Sequence, residues 1–247
     1  MSHEQISIRT QDGDCPAHVF TPAAGEGPWP ATIFYMDALA IRPALIGMAQ
    51  RLADAGYVVL LPDLFYRLGT YETLDPKAVF ASGDVRAALG RFLDSTDNHR
   101  AAQDTAAFLA YLDTRDDIAG SKVGTTGYCM GGAKSLAVAG TYPDRIAAAA
   151  SFHGGQLATD SPLSPHLLAP TMKGRIYVAG ADQDSSYPPE MAAQLEAALT
   201  DAGVDHRCEI YEGALHGWAM PDFPIYDEAA SERHWRELLA LFEDTLG

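Results

Sequence analysis

The sequence predicts an α/β fold: a doubly wound, mostly parallel sheet with an antiparallel hairpin at its amino-terminal side, built as a single domain over residues 1–247. Three observations predict it. Continuous apolar runs such as Ala31-Thr32-Ile33-Phe34-Tyr35-Met36 and Tyr57-Val58-Val59-Leu60-Leu61 have the pattern of strands buried on both faces. These runs alternate with segments of helical periodicity, the signature of βαβ units on a parallel sheet. No internal repeat and no linker long enough to divide the chain interrupts the pattern.

Taken in order, Ile6 and Ile8, then Ala17 and Val19, alternate with polar residues on either side of Asp12-Gly13-Asp14, which reads as an edge hairpin. A loop rich in Pro, Gly and Ala runs from Pro22 to Pro30 before the first buried strand, 31–36. A helix over Pro43 to Ala55 stops at Gly56 and leads into a strand over Tyr57 to Asp63. The irregular stretch from Leu64 to Ser82 is a candidate overhang for a site. Helices follow near Gly83 to Leu93 and Arg100 to Asp113, the second capped by Asn98. Strands at Lys122 to Tyr128, Ile146 to Phe152 and Arg175 to Ala179 alternate with helices at Gly132 to Thr141 and Pro189 to Ala202. A last strand, Arg207 to Tyr211, and a helix from Asp227 to Leu246 complete the fold.

Charge and cysteine content restrict the function classes. Lys plus Arg number 17 against 33 Asp plus Glu, a net charge of −16 that repels nucleic acid and anionic lipid. The start, Met1-Ser2-His3-Glu4-Gln5, lacks the basic and apolar segments of a secretory signal, and no later segment is apolar enough to span a bilayer. A cytoplasmic location and no membrane or nucleic-acid partner are therefore expected. Cys15, Cys129 and Cys208 are odd in number and widely spaced, which suggests neither a disulfide framework nor a metal site and leaves room for a reactive thiol.

The segment with the most chemistry is Gly127-Tyr128-Cys129-Met130-Gly131-Gly132, between a strand and a helix. It fits Gly-x-nucleophile-x-Gly, a tight strand-to-helix turn whose glycines avoid backbone clashes. A cysteine there faces the positive pole of the helix, which favours thiolate over thiol, and the Met130 N–H is placed to complement an oxyanion. Such elbows are followed in the chain by an acid and then a histidine on loops after later strands. Asp182 and Asp184 follow the strand ending at Ala179, and His216 follows the last strand on a Gly-flanked loop. Either aspartate fits as the acid, the other being left to cap or brace its loop. The remaining seven histidines read as solvent-facing or core residues.

The chain resembles the dienelactone hydrolase family of the α/β-hydrolase superfamily in Gly-Tyr-Cys-Met-Gly-Gly at 127–132, in Leu61-Pro62-Asp63-Leu64 and in Ala214-Leu215-His216-Gly217. The resemblance implies Cys129 as nucleophile, His216 as base and no cofactor or metal. It favours Asp184 as the acid, since the family's acid is followed after three residues by proline, as in Asp184-Ser185-Ser186-Tyr187-Pro188. It also implies a carboxylate near the nucleophile that restrains the resting thiol. Asp37 occupies the place of the family's glutamate, one methylene shorter, and the adjacent Ala38 N–H becomes the second oxyanion donor. A bracing role for Asp37 before Pro43 stands beside that reading. The arginine that dienelactone-specific members place after the histidine to grip a substrate carboxylate is replaced here by Gly217-Trp218-Ala219-Met220. Arg42, Arg67 and Arg86 are candidate substitutes for it, each also readable as a surface residue.

Together these readings predict hydrolysis of a small ester or lactone, an enol lactone or activated carboxylic ester, through a Cys-His-Asp triad and an acyl-thioester intermediate. The alternatives are a general carboxylesterase or thioesterase with a pocket around Tyr71, Phe152 and Trp218, and a hydrolase-like protein that binds a small ligand without turning it over. Nothing in the sequence speaks to oligomeric state.

Overall fold

The computed structural model describes residues 2–247, the side chain of Arg86 excepted. Strands β1 (Ser2–Arg9) and β2 (Asp14–Thr21) form the expected antiparallel hairpin, with Ile6 opposite Ala17. The other strands are β3 (Trp29–Tyr35), β4 (Val58–Pro62), β5 (Ile118–Tyr128), β6 (Ile146–Phe152), β7 (Arg175–Ala181) and β8 (His206–Tyr211). One eight-stranded sheet has the order β1-β2-β4-β3-β5-β6-β7-β8, parallel from β4 onward and antiparallel at β1–β2 and β2–β4.

Helices α1 (Pro43–Asp54), α2 (Pro76–Ala81), α3 (Val85–Asp94), α4 (Asn98–Leu112), α5 (Met130–Thr141), α6 (Pro189–Asp201) and α7 (Glu228–Leu246) make the connections. Two glycines of β5 place helices on both faces of the sheet. A Cβ on Gly124 would meet Phe242 of α7 at 2.7 Å, and one on Gly127 would meet the Gly131 carbonyl oxygen of α5 at 2.0 Å. Residues three apart in a strand point to opposite faces, so α5 and α7 sandwich the middle of the sheet.

Several boundaries differ from expectation for local reasons. β5 begins at Ile118 rather than Lys122, because Ile118 pairs with Trp29 ahead of an irregularity in the register. The cap of α4 is Asp97, whose carboxylate accepts the Arg100 N–H at 2.8 Å, and Asn98 is the first helical residue. The irregular stretch contains α2, opened by the Asp75 cap and Pro76, together with a 3-10 turn at Tyr66–Leu68. Among the described residues, no helix is long and apolar enough to cross a membrane.

Candidate active site

The carboxyl ends of β3, β5, β6, β7 and β8 bring the singled-out residues to one end of the sheet, where ligands of open α/β sheets bind. Cys129 sits between β5 and α5 at φ 54° and ψ −119°, a left-handed conformation unfavourable for a non-glycine residue, costing about 1–3 kcal/mol. Close packing maintains it. Gly127 lies against Gly131, and a Cβ on Gly131 would meet the carbonyl oxygens of Tyr35 at 2.3 Å and Met36 at 2.6 Å. Any side chain at these two positions would push the elbow off the end of β3. The Cys129 N–H donates to the Phe152 carbonyl at 3.1 Å and to His153 Nδ1 at 3.2 Å.

His216 Nδ1 meets Asp184 Oδ2 at 2.6 Å. The other carboxylate oxygen of Asp184 accepts the Ser186 N–H at 2.8 Å and the Ser186 hydroxyl at 2.6 Å. Asp182 makes a different contact: its carboxylate accepts the Gly213 N–H at 3.0 Å, bracing the loop that carries His216. Of the two aspartates, Asp184 thus meets the histidine and Asp182 the backbone of its loop. Burial alone would raise the Asp184 carboxyl, but its contacts with His216 and Ser186 hold it below the usual value. Burial opposes a charged His216 ring too, yet the adjoining Cys129 sulfur and the Asp184 hydrogen bond outweigh it and raise the imidazole to about 10. An imidazole held that high keeps its proton at neutral pH.

Cys129, Met130 and His216 line a cavity of about 480 Å³, walled also by Leu93 and Asp97 ahead of α4, Lys134 of α5, Gln156 after β6, and Leu163. The 64–82 stretch contributes no residue to this wall. Phe152 and Trp218 are fully buried in the core, and Tyr71 packs on Phe65 and Phe92, so these aromatics do not form the pocket of the esterase alternative; the wall instead sets Leu93, Met130, Ala133 and Leu163 among polar side chains such as Thr96, Gln156 and Ser164. Among the described residues, the N–H groups of Ala38 and Met130 have no protein acceptor, and no cluster of three or more His, Cys, Asp or Glu is placed to hold a metal ion.

Asp37, fully buried, accepts two hydrogen bonds from Arg42, at 2.8 and 2.9 Å, and one from the Leu39 N–H at 2.8 Å. Arg42 is 3% exposed, not a surface residue, and it also binds Asp222 at 2.6 and 3.0 Å while lying over the Phe223 ring. It therefore ties the loop after β3 to the segment that follows His216. Arg67 is likewise spent, on Asp104 and Asp12; the part suggested for Arg86 lies outside the described side chains. Because removing one member strands a buried charge, Arg42→Met is expected to cost about 3–5 kcal/mol. Urea unfolding checks this, and the double variant with Asp37→Asn should recover part of the loss.

Two residues close to Cys129 went unnoticed in the sequence, one buried behind it and one in the cavity wall. His153 is fully buried at φ 38° against the Cys129 backbone; burial, with His216 and His234 nearby, pushes its ring well below the ordinary value. Its position directly after β6, the neighbour of the elbow strand, was an available signal. Lys134 was passed over as one helical residue among many.

The sequence profile of the dienelactone hydrolase family matches residues 15–246. The carboxymethylenebutenolidase of Rhodococcus opacus is 26% identical over 98% of this chain and 92% of its own. A Klebsiella pneumoniae protein described as "Putative Dienelactone Hydrolase" superposes with a TM-score of 0.83 at 21% identity, covering 98% of both chains. A dienelactone hydrolase-like promiscuous phosphotriesterase from metagenomic libraries gives 0.79 at 22% identity, covering 99% of this chain and 98% of that one. With the profile covering nearly its whole length, the chain belongs to the dienelactone hydrolase family, hydrolases acting on ester and lactone bonds.

Proposed function

We propose that the protein hydrolyses small carboxylic esters or enol lactones through a triad of Cys129, His216 and Asp184. The observation that carries this reading is the 2.6 Å contact of Asp184 with His216 in the loops over the cavity that holds Cys129. The Cys129 thiolate attacks the carbonyl carbon, and the N–H groups of Met130 and Ala38 take the developing oxyanion charge. His216 gives its Nε2 proton to the departing alkoxide, leaving an acyl thioester on Sγ. The neutral imidazole then takes a proton from water, the hydroxide adds to the thioester, and the thiolate leaves with the acid as product. Asp184 holds the ring orientation and stabilises its cationic form. A thiolate is a better leaving group than an amine, so amide adducts revert to starting amide while activated esters go forward.

Asp37 acts in this proposal through its place beside the elbow, holding the Ala38 loop and restraining the resting thiol. Asp37→Asn leaves Arg42 with one carboxylate partner instead of two, which favours negative charge nearby. Alkylation of Cys129 by iodoacetamide near neutral pH is expected to quicken several-fold. Superimposable rate profiles across pH for variant and wild type would reduce Asp37 to a brace of the loop.

A turnover panel of enol lactones, aryl esters and thioesters, with Cys129→Ala as control, tests the activity. Turnover of lactones and aryl esters is the expected result. Thioesters as the preferred class would make the protein a thioesterase, and tight binding without turnover of any member would make it a binding protein.

A further inference from the structure

Lys134 is 5% exposed, projects from α5 into the wall of the Cys129 cavity, and has no hydrogen-bond or ion-pair partner among the described residues. The nearest carboxylate of the wall, Asp97, is occupied with capping α4 and lies by Arg100. Its ammonium is not among the sealed polar atoms that lack a partner, so it opens onto the cavity, where a cation of restricted hydration is stabilised by an anion brought beside it. The arginines that the sequence offered for such a purpose and whose side chains are described, Arg42 and Arg67, are locked into carboxylate clusters away from this wall.

We infer that Lys134 is an anion-binding subsite of the cavity, selecting esters that carry a carboxylate on a short spacer from the scissile carbonyl. This rests on the reading of the cavity as the ester site. Lys134 follows Cys129 by five residues, roughly 7 Å along the axis of α5 at the usual rise per residue, and its Cβ leans back toward the elbow. The oxyanion donors and the ammonium are then two positive poles on one wall, with aliphatic Leu93, Met130 and Leu163 around them. A molecule of net charge −16 repels anions at long range, so only a local cation of this kind can give preference to an anionic substrate.

Burial holds the Lys134 ammonium down to about 8, against the opposing pull of Cys129 and Asp97. The titratable groups of the wall are Asp97, Cys129, Lys134 and His216. Cys129 and His216 act on every ester alike, and Asp97 is engaged in capping α4. The ratio of kcat/KM for an anionic ester to that for its neutral isostere therefore isolates Lys134. It should fall as pH rises through about 8, where the free enzyme loses the cation.

Two pairs of p-nitrophenyl-type esters test the subsite: glutarate monoester against the branched neutral ester of the same shape, and an acetate bearing a carboxyl on the aryl ring against the unsubstituted one. Wild type is expected to favour the anion in at least one pair by about tenfold or more. Lys134→Met should abolish that preference while leaving kcat/KM for the neutral esters near wild type, and Lys134→Arg should retain part of it. A preference absent from both pairs, or unchanged in Lys134→Met, overturns the subsite while leaving the hydrolase reading intact. If neither pair is turned over but glutarate shields Cys129 from iodoacetamide in wild type and not in Lys134→Met, the subsite stands and the hydrolase reading falls.

Discussion

Cys129→Ala is expected to lower kcat for an activated aryl ester by at least about a thousandfold, whereas Cys15→Ala and Cys208→Ala keep turnover near wild type. The magnitude follows from removing the atom that forms the acyl intermediate; what persists comes from binding and oxyanion stabilisation alone. The contrast follows from environment. Cys15 is fully buried within hairpin strand β2, with burial and nearby carboxylates pushing its thiol up. Burial in the edge strand β8 pushes Cys208 up to about 12. Neither supplies thiolate near neutral pH, and neither lines the cavity. Rates for the three purified variants decide the matter, and substantial turnover by Cys129→Ala would falsify the nucleophile assignment.

Asp184→Asn should lower kcat by roughly a hundredfold or more, through loss of the imidazolium partner and a shift to the wrong tautomer. Asp182→Asn is expected to cost about tenfold at most. Asparagine keeps an amide oxygen that can accept the Gly213 N–H, the contact by which Asp182 braces its loop. In the Asp184 variant His216 keeps the Cys129 sulfur beside it but loses the carboxylate, the second of the two groups that raise it, so the pH profile of kcat/KM should move as well. Steady-state rates across pH for both variants check this, and the reverse ranking would transfer the acid role to Asp182.

The part of this site legible in the sequence was the part written in local geometry. Gly127 and Gly131 announced the elbow because each must admit backbone within contact distance, and chain order pointed to Asp182, Asp184 and His216 on later loops. The choice between Asp182 and Asp184 needed family spacing, because two carboxylates in one turn are locally equivalent; only the fold directs one to His216 and the other to Gly213. Arg42 read as a surface residue because its second partner, Asp222, is 180 positions away. Lys134 gave no signal, since its distinguishing property is the lack of a partner. In the fold, alternating apolar runs located each strand, whereas the α4 cap moved from Asn98 to Asp97 because both residue types cap well.

The most direct measurement is the mass of the protein quenched in acid during turnover of a p-nitrophenyl ester. Hydrolysis through Cys129 predicts an initial burst of p-nitrophenol and an adduct of acyl mass. Peptide mapping should place that adduct on the segment containing Cys129, and Cys129→Ala should lack it. Steady turnover with the acyl group on another residue, or undiminished in Cys129→Ala, would contradict the acyl-thioester mechanism.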